Sequence, residues 1–295
     1  MSKAGVLLVG LCTVDVVQRV TELPSPGQKV QSTGVELVAG GPAANAAITV
    51  AALGGRAQLV TVLGGHPLAG LARADLIGHG VRILDTRPDR VDPPTVSSVA
   101  VRERDGERVV VSHNAIGISA DGQMPYWPAL LAEAGALLVD GHHPTLAVAA
   151  ARAARGRHVP VVLDAGSDKP VLAELLPLVD VCACAATFRL GRATERAVHD
   201  LGVPVVIRTD GAAPVRWSVA ANADKHPVTG EVKPPTVTPK DTLGAGDVWH
   251  GALAAGVAEL GRVPDATDLP GLIDAANQVA ARRVGVAGAR AWLRT

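Results

Sequence analysis

The sequence predicts an α/β fold, with a doubly wound, mostly parallel sheet that is flanked by helices and carries a small β-sheet lid. Short apolar runs alternate with helical patterns from residue 136 to residue 207, which is typical of a parallel sheet. Two glycine-rich turns, at 39–45 and 244–246, each open a helix. Four strand-like segments interrupt the alternation and predict a second, smaller sheet.

The core strands are predicted from short apolar runs between turn residues. The first, at 5–11, is continuously apolar, as in a strand that is buried on both faces. Further strands are predicted at 58–63, 136–139, 159–163, 179–183, 203–207, 217–221 and 236–238. Helices are predicted at 46–53, 68–79, 146–154, 171–176, 194–201, from 244 onward and at 272–284.

The segments at 13–20, 29–38, 95–101 and 107–113 lie outside the core pattern. The last two flank Asp105-Gly106, which is the strongest hairpin signal in the chain. We expect a four-stranded lid, inserted in the core from about 13–38 and 95–114, that closes over a site or forms a dimer contact. No linker or repeat divides the chain, so we expect residues 1–295 to form one domain.

The composition excludes several classes of partner. The formal net charge is +0, which gives no long-range attraction to nucleic acid or to a membrane surface. Aromatic residues make up 2% of the chain, too few for a base-stacking platform. The apolar run at 5–11 is too short to span a bilayer, and no signal-peptide cleavage pattern follows it. We therefore expect a small-molecule ligand.

The cysteines indicate a reducing compartment. Cys12, Cys182 and Cys184 lack the further Cys or His that a zinc site would require. We expect them to be buried, reduced thiols in a cytoplasmic protein.

The most informative stretch is DTLGAGD at 241–247. Glycines at 244 and 246 let a ligand approach the backbone closely. The free N–H groups and positive dipole end of the helix that follows suit an anion such as phosphate. Asp247, in that first turn, has two interpretations: a helix cap, or a general base beside a bound phosphate.

Two motifs together resemble a known family. The run AGGPAANAA at 39–47, followed by ALGG at 52–55, resembles the N-terminal signature of the ribokinase/PfkB carbohydrate kinases. DTLGAGDVWHGA at 241–252 resembles the C-terminal signature. The resemblance covers essentially the whole chain. It implies a ribokinase-like fold with a β-sheet lid, and ATP with Mg²⁺ as cofactors. It also implies phosphorylation of a sugar hydroxyl, usually a CH₂OH group.

The family resemblance assigns the catalytic roles. Asp247 matches the catalytic base, and the backbone N–H groups of Gly244, Ala245 and Gly246 match the anion hole. Phosphoryl transfer needs positioning and charge neutralisation more than covalent chemistry, and donors already fixed at a helix start supply both.

The resemblance also implies binding residues. Asp15, Gly41 and Asn45 match substrate-binding positions, and His142 lies where family members place a polar residue that faces the substrate. Thr209 and Gly211 match the turn that approaches the nucleotide, and Asn277 lies on the helix that flanks the adenine. Asp241 occupies a position where some members hold a monovalent cation such as K⁺. Family members of this kind also suggest a homodimer formed through the lid.

The sequence departs from the family in two places. Many members carry an Asn-x-x-Glu motif that tunes Mg²⁺ binding, and the stretch 183–188 has neither residue. Pro42 stands where a side chain often binds a sugar hydroxyl. Taken together, the residues of these motifs most resemble those of the ketohexokinase and sulfofructose-kinase-like branch of the family. An expected sulfonate-binding arginine is His142, however, and an expected lid asparagine is Ser112, with His113 and Asn114 beside it.

The leading hypothesis is therefore an ATP-dependent kinase of a ketose or related carbohydrate. One alternative is a nucleoside kinase of the same fold, which the scarcity of aromatic residues disfavours. Another is a catalytically weak sugar- or nucleotide-binding paralogue, which the missing Asn-x-x-Glu suggests and the intact GAGD argues against. A dinucleotide-dependent oxidoreductase fits poorly, since VGLCT at 9–13 has one glycine where that fingerprint needs three.

Overall fold

The computed structural model describes residues 4–118, 120, 124–190, 194–220 and 226–294. They form a nine-stranded sheet and a separate four-stranded sheet. The strands of the large sheet are β1 (Gly5–Val9), β4 (Arg56–Thr61), β5 (Val81–Asp85), β8 (Ala134–Val139), β9 (Val161–Ala165), β10 (Val181–Ala185), β11 (Val205–Thr209), β12 (Val215–Val219) and β13 (Val228–Val232). The strands of the small sheet are β2 (Thr13–Val20), β3 (Ser32–Gly40), β6 (Val96–Arg102) and β7 (Arg108–Ser112).

The chain adds strands to the large sheet first on one side of β1 and then on the other. The strand order is β13-β12-β11-β10-β9-β8-β1-β4-β5, and the strands from β11 to β5 are all parallel. β12 is antiparallel to both of its neighbours, β11 and the edge strand β13. The chain runs outward from β1 to β5 and then returns to β8, so the strand order reverses between β1 and β8. Ligands of open α/β sheets bind at such a switch point, outside the carboxyl ends of the strands.

Helices cover both faces of this sheet. They are α1 (Pro42–Ala52), α2 (Pro67–Gly78), α3 (Trp127–Leu131), α4 (Pro144–Arg155), α5 (Leu172–Leu175), α6 (Thr194–Asp200), α7 (Ala245–Leu260) and α8 (Leu269–Val284). Apolar residues of α1, α2, α7 and α8 share one core cluster, and those of α3 to α6 share the other. Two 3₁₀ turns, Leu176–Leu178 and Ala291–Arg294, complete the described elements. No described helix combines the length and the apolar character of a membrane span.

The four segments predicted to form the lid make up the small sheet, in the order β3-β2-β6-β7, and this sheet is called the lid below. Its inner face packs Val17, Val99 and Val101 against Leu243, which precedes α7. The β6–β7 turn also reaches this segment, since Thr242 Oγ1 donates to Gly106 O at 3.1 Å. The lid therefore contacts the DTLGAGD stretch directly.

The predicted fold class is confirmed, and most elements lie within a few residues of their predicted positions. The strand predicted at 236–238 is wrong, because that segment has no ladder partner and leads into α7. The strand predicted at 217–221 is β12, shifted two residues earlier, and Ala221 lies outside the described residues. Strands β5 and β13 and helix α3 were not predicted. The strands are half-exposed edges with weak apolar patterns, and α3 has only five residues.

A glycine fixes the distance between α1 and α7. A Cβ atom on Gly251 would lie 2.6 Å from Ala46 O and 2.8 Å from Thr49 Cβ. No side chain fits there, so the two helices pack backbone to backbone. This contact lies one helical turn beyond Asp247.

Replacing Gly251 with alanine should lower the free energy of unfolding by about 1–3 kcal/mol, because overpacking a close helix contact forces the backbones apart. The matched control is Gly271→Ala, at another helical glycine, where an added Cβ meets nothing within 4 Å. That change should be neutral or stabilising by up to about 1 kcal/mol. Urea denaturation of both variants measures the difference. Equal stabilities would show that the α1–α7 distance is not limited by this residue.

Candidate active site

Asp140 joins the strands at the switch point to helix α1. It follows β8, and its Oδ2 accepts hydrogen bonds from the N–H groups of Leu11 at 2.8 Å and Ala43 at 3.3 Å. Its Oδ1 accepts the N–H of His142 at 2.9 Å. Burial opposes ionisation, but His142 and these N–H donors hold the pKa of Asp140 well below its usual range. The ionised carboxylate thus fixes the start of α1.

The turn before α1 requires glycine. Gly41 is the N-cap residue with φ of +90°, and a Cβ atom there would lie 2.5 Å from Leu11 O. Its backbone conformation and the close approach of the β1–β2 connection both exclude a side chain. Asn45 follows in the first turn of α1 and points to α7.

The start of α7 is open to a ligand. Gly244 is its N-cap residue in the left-handed conformation, with φ of +68°, and no side chain caps the helix. Ala245 N–H makes a 3.3 Å hydrogen bond to Thr242 O. In the described part of the chain, the N–H groups of Gly246 and Asp247 have no acceptor, and a Cβ on Gly246 would meet nothing within 4 Å. Free N–H groups of this kind suit an anion. Gly246 belongs to the predicted anion hole, whereas the Ala245 N–H that was also predicted is already bonded within the turn.

Asp247 lies in the first turn of α7 and accepts a hydrogen bond from Asn45. Asn45 Nδ2 is 2.8 Å from Asp247 Oδ2. The surrounding protein withholds water from this carboxylate and, with the nearby charge of Asp164, raises its pKa to about 6. The Asn45 amide and His250 act in the opposite direction. Asp247 is therefore mostly ionised at neutral pH but holds a proton more readily than an ordinary aspartate.

A buried Asp164–His250 pair stands beside Asp247 and was not predicted. Asp164, at the end of β9, has its Oδ2 3.1 Å from His250 Nδ1, and both residues are at most 5% exposed. Burial disfavours the charged imidazole, but Asp164 outweighs it and raises the pKa of His250. The sequence did contain signals: an acid at a strand's carboxyl end, and a histidine one helical turn after Asp247.

Arg290 orients Asn45 and was also not predicted. Its Nη1 donates to Asn45 Oδ1 at 3.2 Å, which leaves the Asn45 NH₂ group to face Asp247. The guanidinium is itself held by Ala39 O and by Asp75 Oδ2 at 2.8 Å. A continuous chain of contacts therefore runs from α2 through Arg290 and Asn45 to Asp247.

Asp15 lies on β2, where the lid meets the core. It is 7% exposed and accepts a hydrogen bond from the Thr13 hydroxyl. Burial raises its pKa, and hydrogen bonds from Thr13 and Ser97 partly offset the effect. A Cβ on Gly40 would collide with the Asp15 carboxyl group, so glycine is required there. One cavity brings predicted residues together: Asp15, Asn45 and Gly244 line it, with Arg290.

His142 is part of the Asp140 cluster. Its side chain is 14% exposed, and Nδ1 is 3.3 Å from Asp140 Oδ1. Among the described residues, no hydrogen bond or ion pair joins it to Asp247 or Asp15. Neighbouring His143 is 1% exposed, and burial lowers its pKa to about 4, so it is neutral and structural. The contact of His142 with a substrate stays a prediction.

The residues predicted to bind the nucleotide fall in two different environments. Thr209 ends β11 and is half-buried, and Gly211 follows in an exposed turn with φ of +55°. Asn277 is 3% exposed between α7 and α8, and its Oδ1 accepts the Trp249 indole N–H at 2.9 Å. This burial gives Asn277 a structural role and does not support contact between its side chain and adenine.

The segment after β10 carries no acidic or amide ligand for a metal. Phe188 is 1% exposed in the core, and Arg208 Nη2 holds Ala186 O at 2.8 Å. No cluster of three or more candidate ligands for a metal ion occurs in the described ranges. Asp241, the predicted cation ligand, is fully buried and contacts Arg19 and Arg283.

Comparison with known proteins shows the same architecture elsewhere. Residues 3–295 match the pfkB family of carbohydrate kinases. The chain is 24% identical to the ribokinase of Bacillus subtilis (strain 168) over 300 residues, which covers 99% of this chain and 96% of the relative. The structure of Arabidopsis thaliana ribokinase, complexed with ribose and ATP, aligns with a TM-score of 0.71 and 22% identity over 99% of this chain and 98% of that one. The fructokinase of Xylella fastidiosa with bound ATP aligns with a TM-score of 0.73 and 20% identity, covering 97% and 94% of the two chains.

Proposed function

Since the chain belongs to the pfkB family of carbohydrate kinases and is an ATP-dependent sugar kinase, we propose that it phosphorylates a CH₂OH group of a ketose or a related sugar. The observation that carries the proposal is the contact between Asn45 and Asp247 at the open start of α7. It places a carboxylate of raised pKa beside free N–H donors, which is the arrangement that phosphoryl transfer requires.

Asp247 acts as the general base in this proposal. Its pKa of about 6 lies close to neutral pH, where a base is both ionised and able to accept a proton. The attacking hydroxyl donates to the carboxylate oxygen and loses its proton to it as the hydroxyl oxygen bonds the γ-phosphorus of ATP. The bond between that phosphorus and the bridging oxygen breaks at the same time, and ADP leaves. The free N–H groups of Gly246 and Asp247 stabilise negative charge on the transferred phosphoryl group, and one such donor contributes about 3–4 kcal/mol.

The sugar is proposed to lie between the lid and the core. Asp15 and Asn45 offer an acceptor and an amide at the cavity that they share with Gly244. Sugar hydroxyls pair with such groups, and a buried acceptor left unpaired would cost about 1–3 kcal/mol. The inner lid face places Val17, Val99 and Ser97 toward this region and no aromatic side chain. A nucleoside base would need a stacking surface, so a sugar fits better.

Mg²⁺ is proposed to enter with ATP. Asp164 is a buried carboxylate, close enough to Asp247 for its charge to raise the pKa of Asp247. Such an oxygen donor fits Mg²⁺, which takes one or two carboxylates together with substrate phosphates. Asp164 would hold the ion in place of the missing Asn-x-x-Glu motif, and Asp247 would stay free to act as the base. When bound, the ion would neutralise phosphate charge.

We further propose a homodimer through the outer face of the lid. The strand register puts Leu37, Val16, Ser98 and Val111 in one row across the sheet. Val35, Gln18, Ala100 and Val109 form the next row. Leu37 is 52% exposed and Val111 is 69% exposed, and they lie on the two edge strands of the small sheet. A second copy of the same face would bury the apolar side chains of these rows.

The dimer proposal predicts that Leu37→Asp combined with Val111→Asp gives a monomer in size-exclusion chromatography with light scattering, because charges would face each other across the lid. Val228→Asp, at an exposed valine on β13, serves as the control and should leave the dimer intact. A wild-type protein that is monomeric at micromolar concentration would contradict the proposal.

Asp247→Asn tests the mechanism. The amide keeps the shape but cannot accept the proton, so kcat should fall by about 10²–10⁴-fold while the KM for sugar changes little. A panel of ketoses, aldoses and nucleosides in a coupled ADP-release assay identifies the acceptor first. Asp200→Asn, at an exposed acid on α6, is the control. Turnover by Asp247→Asn within tenfold of wild type would exclude Asp247 as the base.

The pH profile tests the environment of Asp247. kcat/KM should fall as the pH drops through about 6, because protonation removes the base. His250→Asn should move this fall to higher pH, since the imidazolium favours the ionised form of Asp247. His158→Asn, at an exposed histidine with φ of +57°, should leave the profile unchanged. A profile that does not respond to His250→Asn would separate His250 from the base.

A further inference from the structure

Both carboxylate oxygen atoms of Asp241 are already bound by N–H donors of the protein. Oδ2 accepts Arg19 Nη2 at 2.9 Å and Gly288 N–H at 3.3 Å. Oδ1 accepts Leu243 N–H at 3.0 Å and lies 3.3 Å from Arg283 Nη2. A carboxylate offers about four lone-pair directions, and all of them are used here.

The nearby backbone carbonyls are occupied as well. Arg283 Nη1 lies 3.3 Å from Asp241 O and 3.4 Å from Val286 O. Val284 O accepts the N–H groups of Lys240 at 2.8 Å and Asp241 at 3.3 Å. A monovalent cation needs a shell of free oxygen atoms, and the carboxylate and carbonyl oxygens of Asp241, Val284 and Val286 do not provide one.

The charges of this cluster already balance. Arg19 also binds Glu36, with Nη2 2.7 Å from Oε1, so two arginines face two carboxylates. Arg283 and Asp241 are at most 2% exposed, and water does little to screen their interaction. Adding a cation would place a third positive charge beside two guanidinium groups.

Building on the proposed kinase function, we propose that Arg19 and Arg283 take the place of the monovalent cation, so that the enzyme works without added K⁺. The prediction that Asp241 holds a monovalent cation therefore does not fit the structure. Arg19 comes from lid strand β2, and Asp241 precedes the DTLGAGD glycines. The guanidinium thus ties the lid to the segment that leads into the anion hole, and Arg19 is a positioning residue.

The test measures kcat/KM of the wild-type enzyme in about 0.1 M tetramethylammonium chloride and in KCl at the same ionic strength. The two values should agree within about twofold, since no oxygen shell is left for K⁺. Stimulation of tenfold or more by KCl would overturn the inference.

The second part of the experiment uses Arg19→Gln, which removes the guanidinium group that binds Asp241 Oδ2. Its kcat/KM should fall in tetramethylammonium chloride and recover in part with KCl, while Arg19→Lys should keep most of the activity. Arg104→Gln removes a lid arginine that binds only exposed acids, and it should behave as wild type in both salts. Full activity of Arg19→Gln without K⁺ would exclude a positioning role.

Thermal unfolding separates this inference from the proposed function. Selective binding of K⁺ to the folded state would raise the Tm in KCl above that in tetramethylammonium chloride. We expect no such rise for the wild-type protein and a rise for Arg19→Gln. This comparison holds even if no sugar in the panel is phosphorylated, and a rise in the wild-type protein would count against the inference.

Discussion

The close approach of α1 and α7 is the constraint on which the site depends. Gly251 lets α7 rest on the backbone of Ala46, and one turn away the same spacing leaves 2.8 Å between Asn45 and Asp247. A wider spacing would break that hydrogen bond and leave the half-buried carboxylate of Asp247 without its donor. Asp140 fixes the position of α1 relative to the sheet, because it anchors the start of this helix to the switch point between β1 and β8. Packing and one buried charge together set the position of Asp247, the proposed base.

The electrostatics of the site follow from this packing. Water is largely excluded around Asp247, Asp164 and His250, so their charges act on each other strongly. Asp164 favours the protonated form of His250, and the Asn45 amide stabilises the ionised form of Asp247. The pKa of Asp247 consequently settles near 6, between that of a free aspartate and that of a fully desolvated one. Donors at the helix start are fixed before any ligand arrives, so that binding an anion would require no rearrangement of them.

Sequence reasoning predicted what is encoded locally. The glycines, the acid and the asparagine of the two motifs form short-range patterns. Asn45 and Gly244, one from each motif, line the same cavity, and Asn45 also binds Asp247. The missed residues act over long separations: Arg290 binds Asn45, Asp164 pairs with His250, and Arg19 reaches Asp241. No periodicity reveals such pairs, since they depend on how the elements pack. Asn277 is a residue whose predicted role was not supported. Its position in the family pattern gave no sign that its side chain is buried and hydrogen-bonded to Trp249.

The hydrogen bonds of Arg290 to Asn45 and Asp75 have a consequence for the synthesis of the protein. These partners are separated by 245 and 215 positions, so the ribosome must release nearly the whole chain before the asparagine can be oriented. Contacts of such high sequence separation form late and slowly during folding. A nascent chain can build β1, α1 and β4 early, yet it stays inert as a catalyst until α8 and the segment after it arrive. Synthesis itself therefore delays the first turnover.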